Sequence, residues 1–398
     1  MRILYILSGT EIDSGATKSF LTMLEGVVAA GHEVAVVCCD DLGVTRLLKE
    51  KGVKTFVCPY RFASLPTVAF TARDIIRFIP RFIRDRIVNP RSAKKVLGFA
   101  RGFRPDIIHE NTSVTGIGYH VASRLGIPLI IHIREYADKD FRIYLLNYRK
   151  RLGYSKSYPV AITKDLARYR CDRHAISRKA TVVYNGIIDE TSFACDSDKL
   201  PYFLYAGRIE SNKGIEDLID AYTGYRNTSG AGGKCLKLKV AGRAPYPAYF
   251  KRLDKKIQES GYAADIEWLG QCGNMDALYR KAAATIIPSY LEGFGRIAPE
   301  AMSKGSLCVM RKTGGLLEQL DNGVETTGGD IALGFESNSE LSGLLKEIAD
   351  NYTEGKVRYE AAYLQMIQRA QQTVKALYTK QAYCKNILQL YTNIMNDK

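Results

Sequence analysis

Short apolar runs alternate along the chain with segments whose apolar residues recur every three or four positions. The first run, at residues 2–7, precedes a segment in which Phe20, Leu24 and Val27 share a helical face, and a second run follows at residues 33–38. Such runs indicate buried strands, and the wider spacing indicates helices packed on a sheet. The pattern therefore predicts βαβ units and an α/β fold, whose ligands bind at the carboxyl ends of parallel strands.

The alternation continues to the end of the chain, and the length of the chain predicts two domains. A chain of 398 residues exceeds what a single core usually supports, and a polar run at residues 189–199 is the expected linker. We expect a first domain at residues 1–190, a second at residues 200–375, and a terminal helix at residues 376–398.

Composition is typical of a soluble globular protein, with 46% hydrophobic and 25% charged residues. No apolar run is long enough for a membrane-spanning helix, and we expect no signal peptide because the N-terminal run is short. Nine cysteines without a CxxC pair favour neither a disulfide framework nor a zinc site. We therefore expect a reducing compartment, the cytoplasm.

More than half of the net charge of +15 lies in one segment, residues 61–104, where eleven Lys and Arg residues accompany only Asp74 and Asp85. The apolar residues of this segment follow helical spacing at Ile75, Ile76, Ile79, Phe82, Ile83 and Ile87. Pro80 is expected to bend or break the helix. A basic amphipathic helix suits an anionic membrane surface, or its apolar stripe packs on the sheet of its own domain.

One stretch at residues 288–302, PSYLEGFGRIAPEAM, joins an apolar run to a predicted helix. Gly293 and Gly295 leave main-chain N–H groups open to close approach by an anion, and a helix N-terminus beside them favours phosphate. Glu292 and Glu300 would repel a phosphate, so they are better suited to accept hydrogen bonds from sugar hydroxyls. The stretch predicts a cradle for a nucleotide sugar.

A second stretch supplies positive charge at another strand-to-helix junction. Gly207 and Arg208 follow the apolar run at residues 202–206, and Lys213 lies just before a helical pattern. Two cations at such a junction can neutralise a diphosphate.

These two motifs resemble the signatures of glycosyltransferase family 4. The resemblance implies the GT-B fold, two Rossmann-like domains that face a cleft, with the C-terminal helix crossing back to the first domain. It implies that Glu292 contacts the donor hexose, that Glu300 contacts the ribose, and that Arg208 and Lys213 stabilise the leaving diphosphate. The remaining donor-binding residues that it implies are Gly15, Gly207, Gln271, Gly293, Phe294 and Gly295.

The first predicted domain carries fewer family features. His109 occupies the family's Asp-x-x-His position, and many members place a catalytic-site histidine after the strand at residues 128–133. Here that position holds Arg134, with His132 two residues earlier. The resemblance implies that His109 and Arg134 belong to the catalytic site and that Arg134 and Glu135 lie on the acceptor side.

The implied function is transfer of a hexose, with retention at the anomeric carbon, from a nucleoside diphosphate sugar to a hydroxyl group. UDP is the favoured nucleotide, and the acceptor is expected to be a lipid-linked glycan or polysaccharide of cell-envelope synthesis. We expect no cofactor and no metal ion. The expected location is the cytoplasm, peripherally on the inner face of the plasma membrane.

Two other functions stay open. A nucleotide-sugar epimerase shares the double Rossmann architecture and would act on the donor without an acceptor. A nucleic-acid-binding protein would also carry a positive charge, but aromatic residues interleaved on its basic face are expected there. The stripe of isoleucines and phenylalanine fits a lipid surface better, so we expect an anionic membrane and no nucleic acid as partner.

Overall fold

The structure is a computed structural model that describes residues 1–67, 72–172, 178–229 and 235–397. It divides into two compact units, Met1–Gly186 with Lys380–Lys398, and Ile187–Thr379. Side chains of residues 72–78 and 81 also lie outside the described part. Ile75 and Ile76 of the predicted apolar stripe, and Arg73, Arg77 and Arg81 of the eleven basic residues, therefore have side chains outside the described part.

Strands and helices alternate through both units. The strands of the first unit are β1 (Arg2–Ile6), β2 (Glu33–Cys38), β3 (Lys54–Val57), β4 (Ser64–Pro66), β5 (Ile107–Glu110), β6 (Leu129–Ile133), β7 (Ile143–Leu145), β8 (Ser157–Ala161) and β9 (Thr181–Val182). Its helices are α1 (Gly15–Ala29), α2 (Val44–Glu50), α3 (Ala72–Phe103), α4 (Ile117–Leu125), α5 (Tyr148–Leu152) and α6 (Lys164–Arg170). The strands of the second unit are β10 (Leu200–Ala206), β11 (Lys237–Ala241), β12 (Ile266–Gly270), β13 (Ala282–Ile287), β14 (Cys308–Arg311), β15 (Leu333–Phe335), β16 (Tyr352–Thr353) and β17 (Lys356–Val357). Its helices are α7 (Ile215–Ser229), α8 (Pro247–Glu259), α9 (Asp276–Lys281), α10 (Ile297–Ser303), α11 (Gly314–Thr327), α12 (Asn338–Asp350) and α13 (Ala361–Leu377), and the chain ends with α14 (Lys380–Asn396).

The first unit is organised around a parallel sheet with the order β3-β2-β1-β5-β6-β8-β9. The antiparallel pair β4 and β7 lies outside this sheet. Helix α14 belongs to this unit, because Tyr383, Ile387 and Tyr391 are buried in the same core cluster as Tyr5 and Ile107. The terminal helix thus returns to the first unit, as the family resemblance implied.

The second unit is organised around a parallel sheet with the order β12-β11-β10-β13-β14-β15. The chain builds outward from β10 to β12 and then crosses to the other side of β10 with β13. Short apolar strands such as β13, in which every residue from Ala282 to Ile287 is buried, are typical of sheets covered on both faces. The two parallel sheets confirm the predicted α/β class with two Rossmann-like units.

Helix α3 is continuous from Ala72 to Phe103 although it contains Pro80 and Pro90. The helix therefore does not break at Pro80, because a long helix tolerates the loss of the hydrogen bond that proline cannot donate. The bend that the sequence also allowed at Pro80 stays a prediction. The C-terminal part of the helix packs on its unit through Val96, Leu97, Ala100 and Phe103.

The middle of α3 has a different surface. Ile79, Ile83 and Ile87 are 49%, 53% and 44% exposed, so this part of the predicted apolar stripe does not pack on the sheet. Within the described residues, none of the helices has both the length and the apolar character needed to cross a membrane.

Candidate functional site

The two predicted motifs of the second unit lie beside each other at one end of its sheet. Gly207 and Arg208 follow the carboxyl end of β10, and residues 288–296 follow the carboxyl end of β13. These neighbouring strands flank the point at which the strand order reverses. Open parallel sheets bind ligands at this position, because the loops that leave the two strands separate there and form a crevice.

An ion pair joins the two motifs. Lys213 Nζ lies 2.6 Å from Glu292 Oε1, and the two side chains are only 19% and 17% exposed. Arg208 lies nearby in sequence with a 56% exposed side chain, and its guanidinium is 3.0 Å from Glu210. Two cations, each paired with a carboxylate, therefore line this end of the sheet.

The main chains of the two motifs also touch. The N–H of Tyr290 donates to the carbonyl of Asn212 at 3.1 Å. Gly214 has a φ of +67°, and a Cβ at this position would lie 2.0 Å from the carbonyl oxygen of Pro288. A side chain at residue 214 would therefore push the two loops apart, and only glycine permits their present spacing.

Helix α11 braces the glycine turn at residues 293–295. The N–H of Gly315 donates to the carbonyl of Glu292 at 2.8 Å, and the Gln319 amide donates to the carbonyls of Phe294 and Gly295. The Phe294 side chain is 4% exposed and packs edge-on against Tyr378. Its side chain is therefore a core element, and only its main chain is available for the predicted donor contact.

Glu300 lies in the first turn of α10. Its carboxylate is 3.8 Å from Arg296 Nε and accepts a hydrogen bond from the Tyr279 hydroxyl at 3.5 Å. The side chain is 31% exposed, so its oxygen atoms can be reached from solvent.

A cavity of about 280 Å³ opens at the carboxyl ends of β11 and β12. It is lined by Ile209, Gly242, Arg243, Ala244, Phe250, Trp268, Gly270 and Gln271. The rings of Phe250 and Trp268 have centroids 4.8 Å apart, and the indole N–H of Trp268 donates to Asp254 at 3.2 Å. A rigid aromatic wall beside exposed main chain suits a planar ring. Of these residues the sequence indicated only Gln271. Gly242, Arg243 and Ala244 carried one signal, their position after the end of β11, whereas Trp268 lies within β12 and Phe250 within α8.

In the first unit, Gly15 begins α1 and is exposed, and the side chain of Ser14 caps the helix by accepting from the N–H of Thr17. His109 is fully buried. Its Nδ1 lies 2.7 Å from the Tyr391 hydroxyl and its Nε2 lies 3.1 Å from Nδ1 of His132. The expectation that His109 belongs to the catalytic site is therefore corrected, because the imidazole is enclosed by its own unit.

Burial, with a smaller contribution from the nearby Arg134 charge, holds the pKa of His109 and that of His132 well below the ordinary value. Both imidazoles are consequently neutral near pH 7. Tyr391 also bonds to the hydroxyl of Tyr5 at 2.9 Å, which extends the polar network towards β1.

Arg134 lies at the carboxyl end of β6 and is half-buried. It donates to the Asn111 carbonyl at 2.9 Å, to Asn185 at 2.6 Å and to the Tyr383 hydroxyl at 3.0 Å, and its second terminal nitrogen lies 3.3 Å from His132. These contacts hold the guanidinium in one orientation.

Glu135 points into the unit, where it is 4% exposed and accepts from the N–H of Ser113 at 2.8 Å. Burial raises the pKa of its carboxyl, although the Ser113 hydrogen bonds oppose the shift. The expectation that Glu135 lines an acceptor surface is corrected, because its carboxylate fixes the loop after β5 instead. Among the described residues, no group of three or more His, Cys, Asp or Glu side chains is placed to hold a metal ion.

Two family models match the chain. Residues 189–363 match the model for glycosyl transferases group 1, and residues 14–191 match the model for glycosyltransferase family 4. An uncharacterized glycosyltransferase of Methanocaldococcus jannaschii is 26% identical over 325 residues, which cover 74% of this chain and 76% of the relative. The lipopolysaccharide 1,2-N-acetylglucosaminetransferase of Salmonella typhimurium is 29% identical over 245 residues, 56% of this chain and 58% of the relative.

Among solved structures, Anabaena HepE in complex with UDP superimposes with a TM-score of 0.75 at 16% identity, covering 99% of this chain and 100% of that chain. The same protein in complex with UDP-glucose gives a TM-score of 0.68 at 16% identity, with 99% and 100% coverage. At this level of identity the likeness shows the fold.

We expect Gly214→Ala to lower the free energy of unfolding by about 1–3 kcal/mol, because the new Cβ meets a carbonyl oxygen in a left-handed conformation. Urea denaturation measures the change. The matched control is Gly343→Ala at an exposed position of helix α12, where a Cβ meets nothing within 4 Å and about 0.5–1 kcal/mol of stabilisation is expected. Equal stability of Gly214→Ala and the wild type would contradict the tight approach of the two loops.

Proposed function

Because the chain belongs to the family 4 glycosyltransferases, which have the GT-B fold, we propose that it transfers a hexose from a UDP-sugar to an acceptor hydroxyl with retention at the anomeric carbon. The observation that carries this proposal is the pairing of Lys213 with Glu292 beside Arg208 at the sheet position where ligands bind. The proposed acceptor is a lipid-linked or polysaccharide glycan.

The leaving group of such a transfer is a nucleoside diphosphate, which gains negative charge as the glycosidic bond breaks. Arg208 and Lys213 are the cations that would stabilise this charge. Glu292 would accept hydrogen bonds from the hexose hydroxyls, and its contact with Lys213 keeps the hexose next to the diphosphate. The N–H groups of the turn at residues 293–295 would contact the same diphosphate, since α11 holds that turn in a fixed shape.

The nucleoside is proposed to lie between the cavity and Glu300. The aromatic wall of Phe250 and Trp268 suits a planar base, and the main chain near Gln271 offers hydrogen bonds to its edge. The accessible carboxylate of Glu300 would accept from the two ribose hydroxyls. UDP is favoured because HepE, a structural neighbour, has been solved with UDP and with UDP-glucose.

The acceptor is proposed to reside at an anionic membrane surface. The exposed stripe of Ile79, Ile83 and Ile87 lies on α3 beside exposed cations at Arg84 and Arg86, which is the pattern of a helix that lies in a lipid interface. A Salmonella relative is named for its action on lipopolysaccharide, and this supports an envelope acceptor. The first unit would then hold the acceptor, with Arg134 as its cation.

Other exposed apolar side chains lie on segments that are bonded to α3. Asn89 of α3 accepts from the N–H of Arg61 at 2.9 Å, which fixes the segment that continues through Phe62 into β4. Strand β4 pairs with β7, whose Tyr144 is 61% exposed. The proposed lipid-facing surface therefore includes Phe62 and Tyr144 together with the α3 stripe.

We expect Glu300→Ala to weaken UDP binding by about 1.5–3 kcal/mol, the contribution of a hydrogen bond to a charged group. This corresponds to a roughly 10- to 150-fold rise in Kd, which isothermal titration calorimetry with UDP resolves. Glu259→Ala, which removes an exposed carboxylate paired with Lys255 in the same unit, is the matched control and should bind like the wild type. Unchanged affinity in folded Glu300→Ala would refute the ribose assignment.

Arg208→Ala and Lys213→Ala should each lower the transfer rate on the order of tenfold or more while leaving the protein folded, because each removes charge from the leaving diphosphate. A thermal-shift screen of nucleotide sugars identifies the donor, whose consumption is then followed with and without acceptor glycans. Lys255→Ala, a 77% exposed cation of the same unit, is the control. Near-normal rates in both variants would show that Arg208 and Lys213 have no role in transfer. Donor turnover without any acceptor would favour an epimerase.

Wild-type protein should co-sediment with liposomes that contain anionic phospholipid, and binding should weaken as salt is added. Replacement of Arg84, Arg86 and Arg91 by Glu should abolish this binding, and Ile83→Ser with Ile87→Ser should reduce it. The control reverses three exposed cations of the second unit, Lys237, Lys251 and Lys255. If the wild type ignores anionic liposomes at low salt, the docking proposal fails and the acceptor is soluble.

A further inference from the structure

One buried guanidinium behind the site contacts both of its loops. Arg311 is the last residue of β14 and is 9% exposed. Its Nε donates to the carbonyl of Pro288 at 2.9 Å, one terminal nitrogen donates to the carbonyl of Glu336 at 3.2 Å, and the other pairs with the Asp217 carboxylate. All three nitrogens of the group are therefore engaged.

Pro288 and Asp217 belong to different motifs of the site. Pro288 begins the segment that carries Glu292, and Asp217 lies in the first turn of α7, the helix that follows Lys213 and Gly214. A planar group with donors on three nitrogens can bridge a carbonyl and a carboxylate in fixed directions, whereas the single ammonium of lysine cannot. Arg311 thus links the segment that carries Lys213 to the segment that carries Glu292.

Two aromatic rings keep the guanidinium in this orientation. Its central carbon lies 4.5 Å from the ring centroid of Tyr290 and 5.0 Å from that of Phe335. Tyr290 is itself tied to the other loop, because its N–H donates to Asn212. Stacking on aromatic rings restricts the guanidinium and adds attraction to its hydrogen bonds.

We propose that Arg311 is a positioning residue that holds Lys213 and Glu292 at ion-pair distance for the transfer reaction. This inference rests on the proposed function of the site. Lys213 and Glu292 are long side chains whose contact depends on the separation of their main chains, and a displacement of about 1 Å at a reacting group can lower a rate about 100-fold. Arg311 is buried and acts through the two loops rather than by contact with a substrate.

The first test does not depend on the function. Hydrogen exchange of the Tyr290 amide reports whether the contact with Asn212 opens, and Arg311→Met should raise its rate at least tenfold. The matched control is Arg226→Met. Arg226 is a 14% exposed arginine of the same unit that pairs with Asp265 and lies 4.7 Å from the ring of Tyr262, away from both loops. An unchanged Tyr290 rate in Arg311→Met, or an equal rise in the control, would overturn the proposal.

The second test asks whether Arg311 affects UDP binding through Lys213. UDP affinity should fall about tenfold in Arg311→Met and in Lys213→Ala, with no further fall in the double variant, because both changes remove the same placed cation. Arg311→Lys should recover part of the affinity, and Arg226→Met should lose none. Additive losses in the double variant would show that Arg311 acts independently of Lys213 and would overturn the proposal. If wild-type protein does not bind UDP, the proposed donor is wrong, and the exchange experiment alone decides the role of Arg311.

Discussion

The arrangement of the second unit depends on the close approach of two loops at the centre of its sheet. The hydrogen of Gly214 faces the carbonyl of Pro288, and this spacing allows Lys213 and Glu292 to meet. Neighbouring strands of a sheet lie about 4.7–4.9 Å apart, so the loops that leave them can touch, and here they touch where a side chain of residue 214 would lie. The absence of one methyl group thus determines whether opposite charges from two sequence motifs form a single site.

Sequence reasoning found the right elements because it used local patterns. The carboxyl ends of parallel strands meet at one edge, so Arg208, Lys213 and Glu292 could be assigned to one region without a structure. Their pairing could not be predicted, because 79 residues separate Lys213 from Glu292 and side-chain directions follow from tertiary packing. Arg311 was missed for a related reason, since a single arginine after an apolar run is indistinguishable in sequence from a surface cation.

Periodicity has a similar limit. It placed Ile79, Ile83 and Ile87 of α3 on one face, and all three are exposed, but it could not tell which part of a helix is covered. In one continuous helix, Val96 and Ala100 are buried whereas Ile83 and Ile87 are exposed. His109 shows the opposite error, because its enclosure depends on Tyr391, which is 282 residues away in the sequence.

In the buried polar network of the first unit, the donor of one hydrogen bond determines the donors of the others. A guanidinium has no acceptor, so a hydrogen bond from Arg134 to His132 requires Nδ1 of His132 to accept and its proton to sit on Nε2, which has no hydrogen-bond partner among the described residues. His109 must then donate from Nε2 and receive at Nδ1 from Tyr391, whose oxygen accepts in turn from Tyr5. The proton positions of the two histidines and the hydroxyl orientations of the two tyrosines are therefore linked to one another through the contact with Arg134. The terminal helix is in this way matched to the polarity of the strand end as well as to its shape.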